Sequence, residues 1–401
     1  SLRFKMATVL FADIRGFTKL SDEADPQKLI DELDRFYFIM DGIIKKYNIE
    51  KVSSVGDTIM LVGGIPKKNR TNPIEMVLAA MEIQHEFEKF QEEIFGHEKR
   101  IWEINMGIHS GPVTVSISGK KKESYEVKGE TVNIASRIEA ASENGKIIIS
   151  EQTRELVSAY FRCRYLGKLP VKYVGDMNLY NVNGYLPEFS ADNKGLLPNQ
   201  TFITKLQLIR YDDLEEFMLD KLERELPKYL YYHNLKHTMD VVIQAEIIGR
   251  GEGISEEEML LLKTAALFHD SGQTVQSKGH EQISAQIAQE ILPKYGYSIE
   301  QINIICDIIK ATELPPKPQT LLQNIICDAD LDYLGRSDFI PVSNTLYKEL
   351  HEQKLIGSMD DWNRLQIKFL SAHQYFTETA NKLREVNKQT QIERLKQVIE
   401  D

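Results

Sequence analysis

The chain has 401 residues, 42% hydrophobic and 27% charged, with a formal net charge of -11. This is the composition of a soluble globular protein too long for one core, so roughly two or three domains are expected. The acidic balance argues against nucleic acid as a partner, because Lys and Arg supply most of that affinity. No apolar run reaches the ~20 residues that span a bilayer and no secretory signal opens the chain, which points to a cytoplasmic protein with no membrane segment in this chain. Cys163, Cys306 and Cys327 are far apart and odd in number, so neither a disulfide framework nor a thiolate zinc site is expected.

In chain order, Thr8 to Thr18 (TVLFADIRGFT) reads as an apolar strand that ends on Asp13 and opens into a helix, where backbone N–H groups can hold phosphate. Leu29, Leu33, Phe36, Met40, Ile43 and Tyr47 then recur at helical spacing. Ile49 to Val55 and TIMLVGG form a hairpin that turns at Gly56-Asp57. Asn72 and Pro73 are an N-cap and first-turn pair for a helix carrying Met76, Val77, Ala80 and Ile83. INMGIHSGPVTVSIS reads as a second hairpin, turning at Ser110-Gly111-Pro112, and in KGETVNIASRIEAAS the side chains of Asn133 and Arg137 share a helix face. Strand, helix, hairpin, helix, strand is the order of a ferredoxin-like α+β domain, an antiparallel sheet with helices on one face. In it Asp13 and Asp57 converge on one sheet edge, where two carboxylates need a cation; hard oxygen ligands left open to phosphates favour Mg²⁺ or Mn²⁺.

Together FADIRGFT, SVGDTIM and GETVNIASR resemble, in order, the three signatures of class III adenylate and guanylate cyclases. The resemblance implies two metal ions held by Asp13, Asp57 and the carbonyl of Ile14, with Asn133 and Arg137 stabilising the transition state. It also implies a head-to-tail homodimer, a nucleoside triphosphate substrate, and terminal phosphates cradled by the backbone around Phe17 and Thr18. Lys172 matches a family lysine that grips the phosphate chain, although a solvated strand-edge lysine looks the same. At the base-reading positions the chain departs from the family: Ser53 stands where Lys or Glu is usual, and Glu126 where Asp, Thr or Cys is usual. A carboxylate can accept from adenine or from guanine; ATP is favoured over GTP. The departure leaves room for a rival, a nucleotide-sensing domain that regulates the C-terminal half.

Turn residues without a sustained period place a linker at 186–205, between a domain at 1–185 and another at 206–401. Beyond it every pattern is helical, ending in a long amphipathic stretch from Trp362 onward. His233 and His237 are read one turn apart on a helix face, His269-Asp270 ends an apolar helix, and His280 and Asp330 come after them. Such a His/Asp mixture suits Zn²⁺, Mn²⁺ or Fe. These residues resemble the all-α HD superfamily of metal-dependent phosphohydrolases, and HNLKH is similar to the HNxxH motif of cyclic nucleotide phosphodiesterases. The resemblance implies metal ligands at His237, His269, Asp270 and Asp330, with Mg²⁺ a further choice of ion, and Asp328 in support. It implies a general acid at His233, and a second metal position or phosphate contact at His280. The whole then reads as an enzyme that makes a cyclic nucleotide in one half and hydrolyses a cyclic or other nucleotide in the other.

Overall fold

The computed structural model describes residues 1–16, 25–55, 58–96, 102–118, 124–172 and 174–400, and the chain divides into two units, Ser1–Leu206 and Gln207–Asp401. The first unit is built on a mixed sheet. Its strands are β1 (Leu2–Arg15), β2 (Glu50–Val55), β3 (Thr58–Gly63), β4 (Glu103–Ser118), β5 (Ser124–Lys128), β6 (Ile147–Ser150), β7 (Phe161–Val171) and β8 (Gly175–Tyr185). They lie in the order β2-β3-β1-β4-β6-β8-β7, with β5 paired to β4; all pairs are antiparallel except β4 with β6, so the sheet is mixed and not antiparallel throughout as the element order suggests. Consecutive buried residues at Ala7, Thr8, Val9 and Leu10 explain why β1 is interior: it is covered on both faces. The helices are α1 (Pro26–Lys46), α2 (Asn72–Phe95), α3 (Glu130–Ala140) and α4 (Glu151–Val157). Of these, α2 and α3 both pack on β1 and β4.

Three further details differ from the sequence reading. The expected hairpin at Ser110-Gly111-Pro112 is one unbroken strand, because β1 pairs along it from Leu2↔Val115 to Arg15↔Glu103, with a bulge between Phe4 and Ala7. Gly111 makes no turn there. A Cβ on it would stand 2.7 Å from Thr131 Oγ1, so the glycine admits α3 to the sheet. Asn72 is the first residue of α2 rather than its cap, which is Thr71, since the Asn72 carboxamide is taken by Thr8 Oγ1 at 2.7 Å. The stretch expected as a linker is structured. Pro187–Phe189 forms a helical turn, Asn199 Oδ1 accepts from the N–H of Phe202 at 3.0 Å, and Phe202 buries against Tyr185 and Phe161.

The second unit is helical throughout, as its pattern predicts. After α5 (Gln200–Glu225), within which the two units divide, come α6 (Leu235–Gly251), α7 (Glu256–Phe268), α8 (His280–Ile291) and α9 (Ile299–Lys310). Then come α10 (Leu321–Asp330), α11 (Phe339–Glu352), α12 (Met359–Ala372) and α13 (Glu378–Glu400). One apolar cluster joins α5 to α10 through residues such as Tyr211, Val241, Leu262, Ile305 and Ile325. A smaller one gathers Tyr232, Tyr333, Phe339, Leu370 and Ile392. The long terminal helix expected from Trp362 is two helices. The buried Asp328 carboxylate captures the N–H groups of Phe376 and Thr377 at 2.9 and 2.8 Å and the Thr377 hydroxyl at 2.7 Å, and Thr377 Oγ1 in turn accepts from Ala380 N–H. That is a new helix start, and it assigns Asp328 to the α12–α13 break rather than to the support of a metal site.

Candidate active sites

In the second unit several helix ends meet. Asn234 caps α6, its Oδ1 accepting from the N–H of His237 at 3.2 Å, so the first turn of that helix presents His237. His233 therefore precedes the helix instead of sharing a face with His237, and the rings still come within 6.0 Å, centre to centre. His269 closes α7 with Asp270 after it, α8 opens on His280, and α10 ends on Asp330. Gly272 permits this crowding: a Cβ there would lie 2.1 Å from the His280 carbonyl. Its N–H donates to Ser284 Oγ at 2.8 Å, and that hydroxyl donates to the His269 carbonyl at 2.8 Å. The HDSG turn thus ties α7 to the start of α8.

His237 Nε2 lies 3.0 Å from Asp330 Oδ1 and 3.4 Å from Asp270 Oδ2, and His269 Nε2 lies 3.3 and 3.2 Å from the same oxygens. The other Asp270 oxygen is 3.0 Å from His280 Nε2. The His269 Nδ1 is 2.6 Å from the Ala266 carbonyl, which can only accept, so this nitrogen carries a proton and Nε2 faces the two carboxylates. His269 Nε2 and Asp270 Oδ2 are both buried without a hydrogen-bond partner. Orphans of this kind cost about 1–3 kcal/mol each unless a cation lies between them. The donor set of imidazole nitrogens and carboxylate oxygens therefore fits a divalent cation of the Zn²⁺, Mn²⁺ or Fe type.

Burial opposes charge on His269, Asp270 and His280, and their partners outweigh it. The His269 and His280 imidazoles hold Asp270 below the usual carboxylate range, while the Asp270 carboxylate holds both histidines above the usual imidazole value. At His233, burial likewise disfavours charge, but Glu349 Oε2 at 2.6 Å from Nδ1 raises its pKa. Glu349 is buried, and its second oxygen accepts from the N–H groups of Tyr232 and His233 at 3.1 and 3.0 Å. It escaped the sequence reading because a glutamate in YKELHE looks like a solvated helix residue; the signal was its place beside Leu346 and Leu350. A cavity of about 330 Å³, bordered by His233, Asp270, His280 and Asp330, opens from the site.

The first unit offers a different picture. Asp13 lies near the end of β1, opposite Thr58 of β3 and Asn105 of β4. Arg15 Nε is 3.8 Å from its carboxylate, and the Arg15 guanidinium reaches Glu139 at 3.2 Å and the Ser142 carbonyl at 2.9 Å, fastening β1 to the end of α3. Burial, followed by repulsion from Asp13, raises the Glu139 pKa, and Arg15 partly offsets this. Ile14 is buried beside Asp13, and Asn133 and Arg137 both stand exposed on α3. Lys172 is exposed just past β7. Glu126 on β5 is bound to Lys128 at 2.7 Å and accepts from Ser116 at 3.3 Å, which hold its carboxyl below its usual pKa. Asp57, Phe17, Thr18 and the Ser53 side chain lie outside the described residues, so the expected Asp13–Asp57 pair and the helix opening after Asp13 do too.

A mixed sheet flanked by helices is followed by a helical unit whose buried His/Asp constellation suits a divalent cation. Residues 1–184 match the family model for the adenylate and guanylate cyclase catalytic domain, and residues 234–332 match the HD domain. The chain is 29% identical over 195 residues to Receptor-type guanylate cyclase gcy-28 of Caenorhabditis elegans, covering 47% of this chain and 15% of that protein. It is 33% identical over 180 residues to Guanylate cyclase 32E of Drosophila melanogaster, covering 44% and 15%. It thus spans less than a fifth of the curated relatives it matches. Among solved structures, the adenylyl cyclase CyaB from P. aeruginosa is 30% identical, covering 48% of this chain and 97% of that one, at a TM-score of 0.42. Residues 1–184 thus carry a class III cyclase catalytic domain and residues 234–332 an HD domain.

Proposed function

We propose that the protein is a bifunctional enzyme of cyclic-nucleotide signalling. Its first unit turns ATP, in preference to GTP, into the 3′,5′-cyclic nucleotide and pyrophosphate, and its second unit hydrolyses a phosphoester, a cyclic nucleotide above all. The observation that carries this reading is the buried meeting of His237, His269, Asp270 and Asp330, with His233 beside them, in a chain that also carries a cyclase-family domain.

In the first reaction the ribose 3′-oxygen attacks the α-phosphorus, a new P–O bond forms, and the bond to pyrophosphate breaks. Asp13, Asp57 and the Ile14 carbonyl would hold two Mg²⁺ or Mn²⁺ ions, and His237, His269, Asp270 and Asp330 the ion of the second unit. When bound, divalent ions brace phosphate oxygens and acidify the attacking hydroxyl or water. Asn133 orients the ribose, Arg137 offsets charge growing on the phosphorus, and Lys172 with the backbone of Phe17 and Thr18 holds the other phosphates. The exposure of Asn133 and Arg137 supports a head-to-tail homodimer in which they serve the partner copy. In the second reaction water adds to phosphorus and the bond to the ribose oxygen breaks. His233 gives that oxygen its proton, held in line by Glu349, and His280 faces the phosphate or a second ion.

A second reading makes the first unit a nucleotide sensor that regulates the hydrolase. The engagement of Glu126 by Lys128 favours it, because the carboxylate is then less available to a base. Incubating purified protein and Mn²⁺ with each of the four nucleoside triphosphates, then with the cyclic products, and separating the products by chromatography distinguishes the two. Pyrophosphate and cyclic AMP from ATP, lost in Asp57→Ala, support the first reading. Tight nucleotide binding without any turnover supports the sensor.

A further inference from the structure

We infer that the site of the second unit takes a phosphoester with a single phosphate and one uncharged, largely apolar organic group, and rejects substrates that carry a second phosphate. This deepens the hydrolase reading and rests on it. The cavity of about 330 Å³ is lined by two unlike sets of side chains. One set is His233, Asp270, His280 and Asp330, where a phosphate and its metal ions belong. The other is an apolar wall that includes Leu346, Leu350, Trp362, Leu365, Phe369 and Leu370.

Among the described lining residues there is no lysine or arginine. The other polar groups are largely spent. Gln366 Oε1 accepts from Ser343 Oγ, the Gln366 Nε2 donates to Asn363 Oδ1 at 3.3 Å, and Trp362 Nε1 donates to Ser343 Oγ at 3.3 Å. A phosphate beyond the first would have to enter this apolar wall with no partner, which is disfavoured far more than burying a ring or chain there is favoured. Polyphosphates and cyclic dinucleotides are therefore poor ligands, whereas mononucleotides and simple aryl phosphates fit. Apolar contact then adds to the affinity of the phosphate, as it does in most small-molecule pockets.

The chain has two tryptophans, Trp102 in the first unit and Trp362 in the cavity wall. Full-length Trp102→Phe protein loaded with Mn²⁺ thus reports cavity occupancy through Trp362 emission alone; if that variant is poorly folded, the difference between wild type and Trp362→Phe gives the same readout. Inorganic phosphate, phenyl phosphate, AMP, ADP and a cyclic dinucleotide are titrated in turn. Phenyl phosphate and AMP are expected to bind at least roughly tenfold tighter than phosphate, and ADP and the dinucleotide at least roughly tenfold weaker than AMP. Leu350→Lys should narrow the gap between AMP and ADP. ADP or the dinucleotide binding as tightly as AMP, phenyl phosphate binding no tighter than phosphate, or Trp362 emission that responds to nothing overturns the inference. Tight AMP binding without hydrolysis of cyclic AMP leaves it standing and removes only the cyclic-nucleotide assignment.

Discussion

The two units handle charge in opposite ways. In the second unit His237, His269 and Asp270 are buried and complete within one chain, each braced by a cap, a carbonyl or a neighbouring hydroxyl. In the first, Asn133 and Arg137 project from an exposed helix face, and Asp13 is fastened by Arg15 to the end of the same helix. A buried set can assemble its own ion, whereas on the proposed function an exposed one waits for substrate, ions and a second copy to complete it. The contrast teaches where each unit is fragile: the second in its packing, the first in its assembly.

Several perturbations separate the two. The largest effect is expected from His237→Ala or Asp270→Ala, which should cut phosphoester hydrolysis on the order of a thousandfold and lower bound metal, while pyrophosphate release stays near wild type. Metal analysis beside the two assays checks it. Glu349→Gln comes next. It keeps an acceptor for the Tyr232 and His233 N–H groups but removes the charge that favours protonated His233, so kcat should fall roughly ten- to hundredfold with metal content unchanged. Retained activity would make Glu349 a packing residue only.

Gly272→Ala forces a Cβ against the His280 carbonyl and should cost roughly 1–3 kcal/mol, read as a lower denaturation midpoint of the second unit together with weaker metal binding. The first unit should show a milder, pH-dependent weakness. Burial holds His109 at about 4, against 6.5 for a free imidazole. The unfolded chain takes up that proton near 6.5 and the folded chain refuses it, so this contribution is whole above 6.5. It is lost as the pH falls toward 4, by on the order of 3 kcal/mol at most. In Trp362→Phe protein, unfolding followed by Trp102 emission should lose stability over that window, and His109→Gln should flatten the slope.

How much the sequence made legible depends on how local each signal is. Asp13 at a strand end and His269-Asp270 at a helix end were readable because apolar runs stop at them. Asn133 and Arg137 were readable through their spacing. The meeting of His280 and Asp330 with His237 was nameable only by resemblance, since it depends on Gly272 and Ser284 drawing α8 against the HDSG turn. The unbroken β4 was misread because Ser110-Gly111-Pro112 has turn composition, whereas the glycine serves the approach of Thr131. Glu349 and the capping role of Asp328 were hidden for a common reason: a buried carboxylate that satisfies backbone N–H groups looks, in a string of letters, like any other acid.

The central claim is that two separate sites act on phosphorus in one chain. Its most direct test compares pyrophosphate release from ATP and cyclic AMP hydrolysis, side by side with Mn²⁺, in Asp13→Ala and His237→Ala proteins. Loss of the first activity alone in Asp13→Ala and of the second alone in His237→Ala is the predicted result. Loss of both activities in either variant, or of neither, would contradict it.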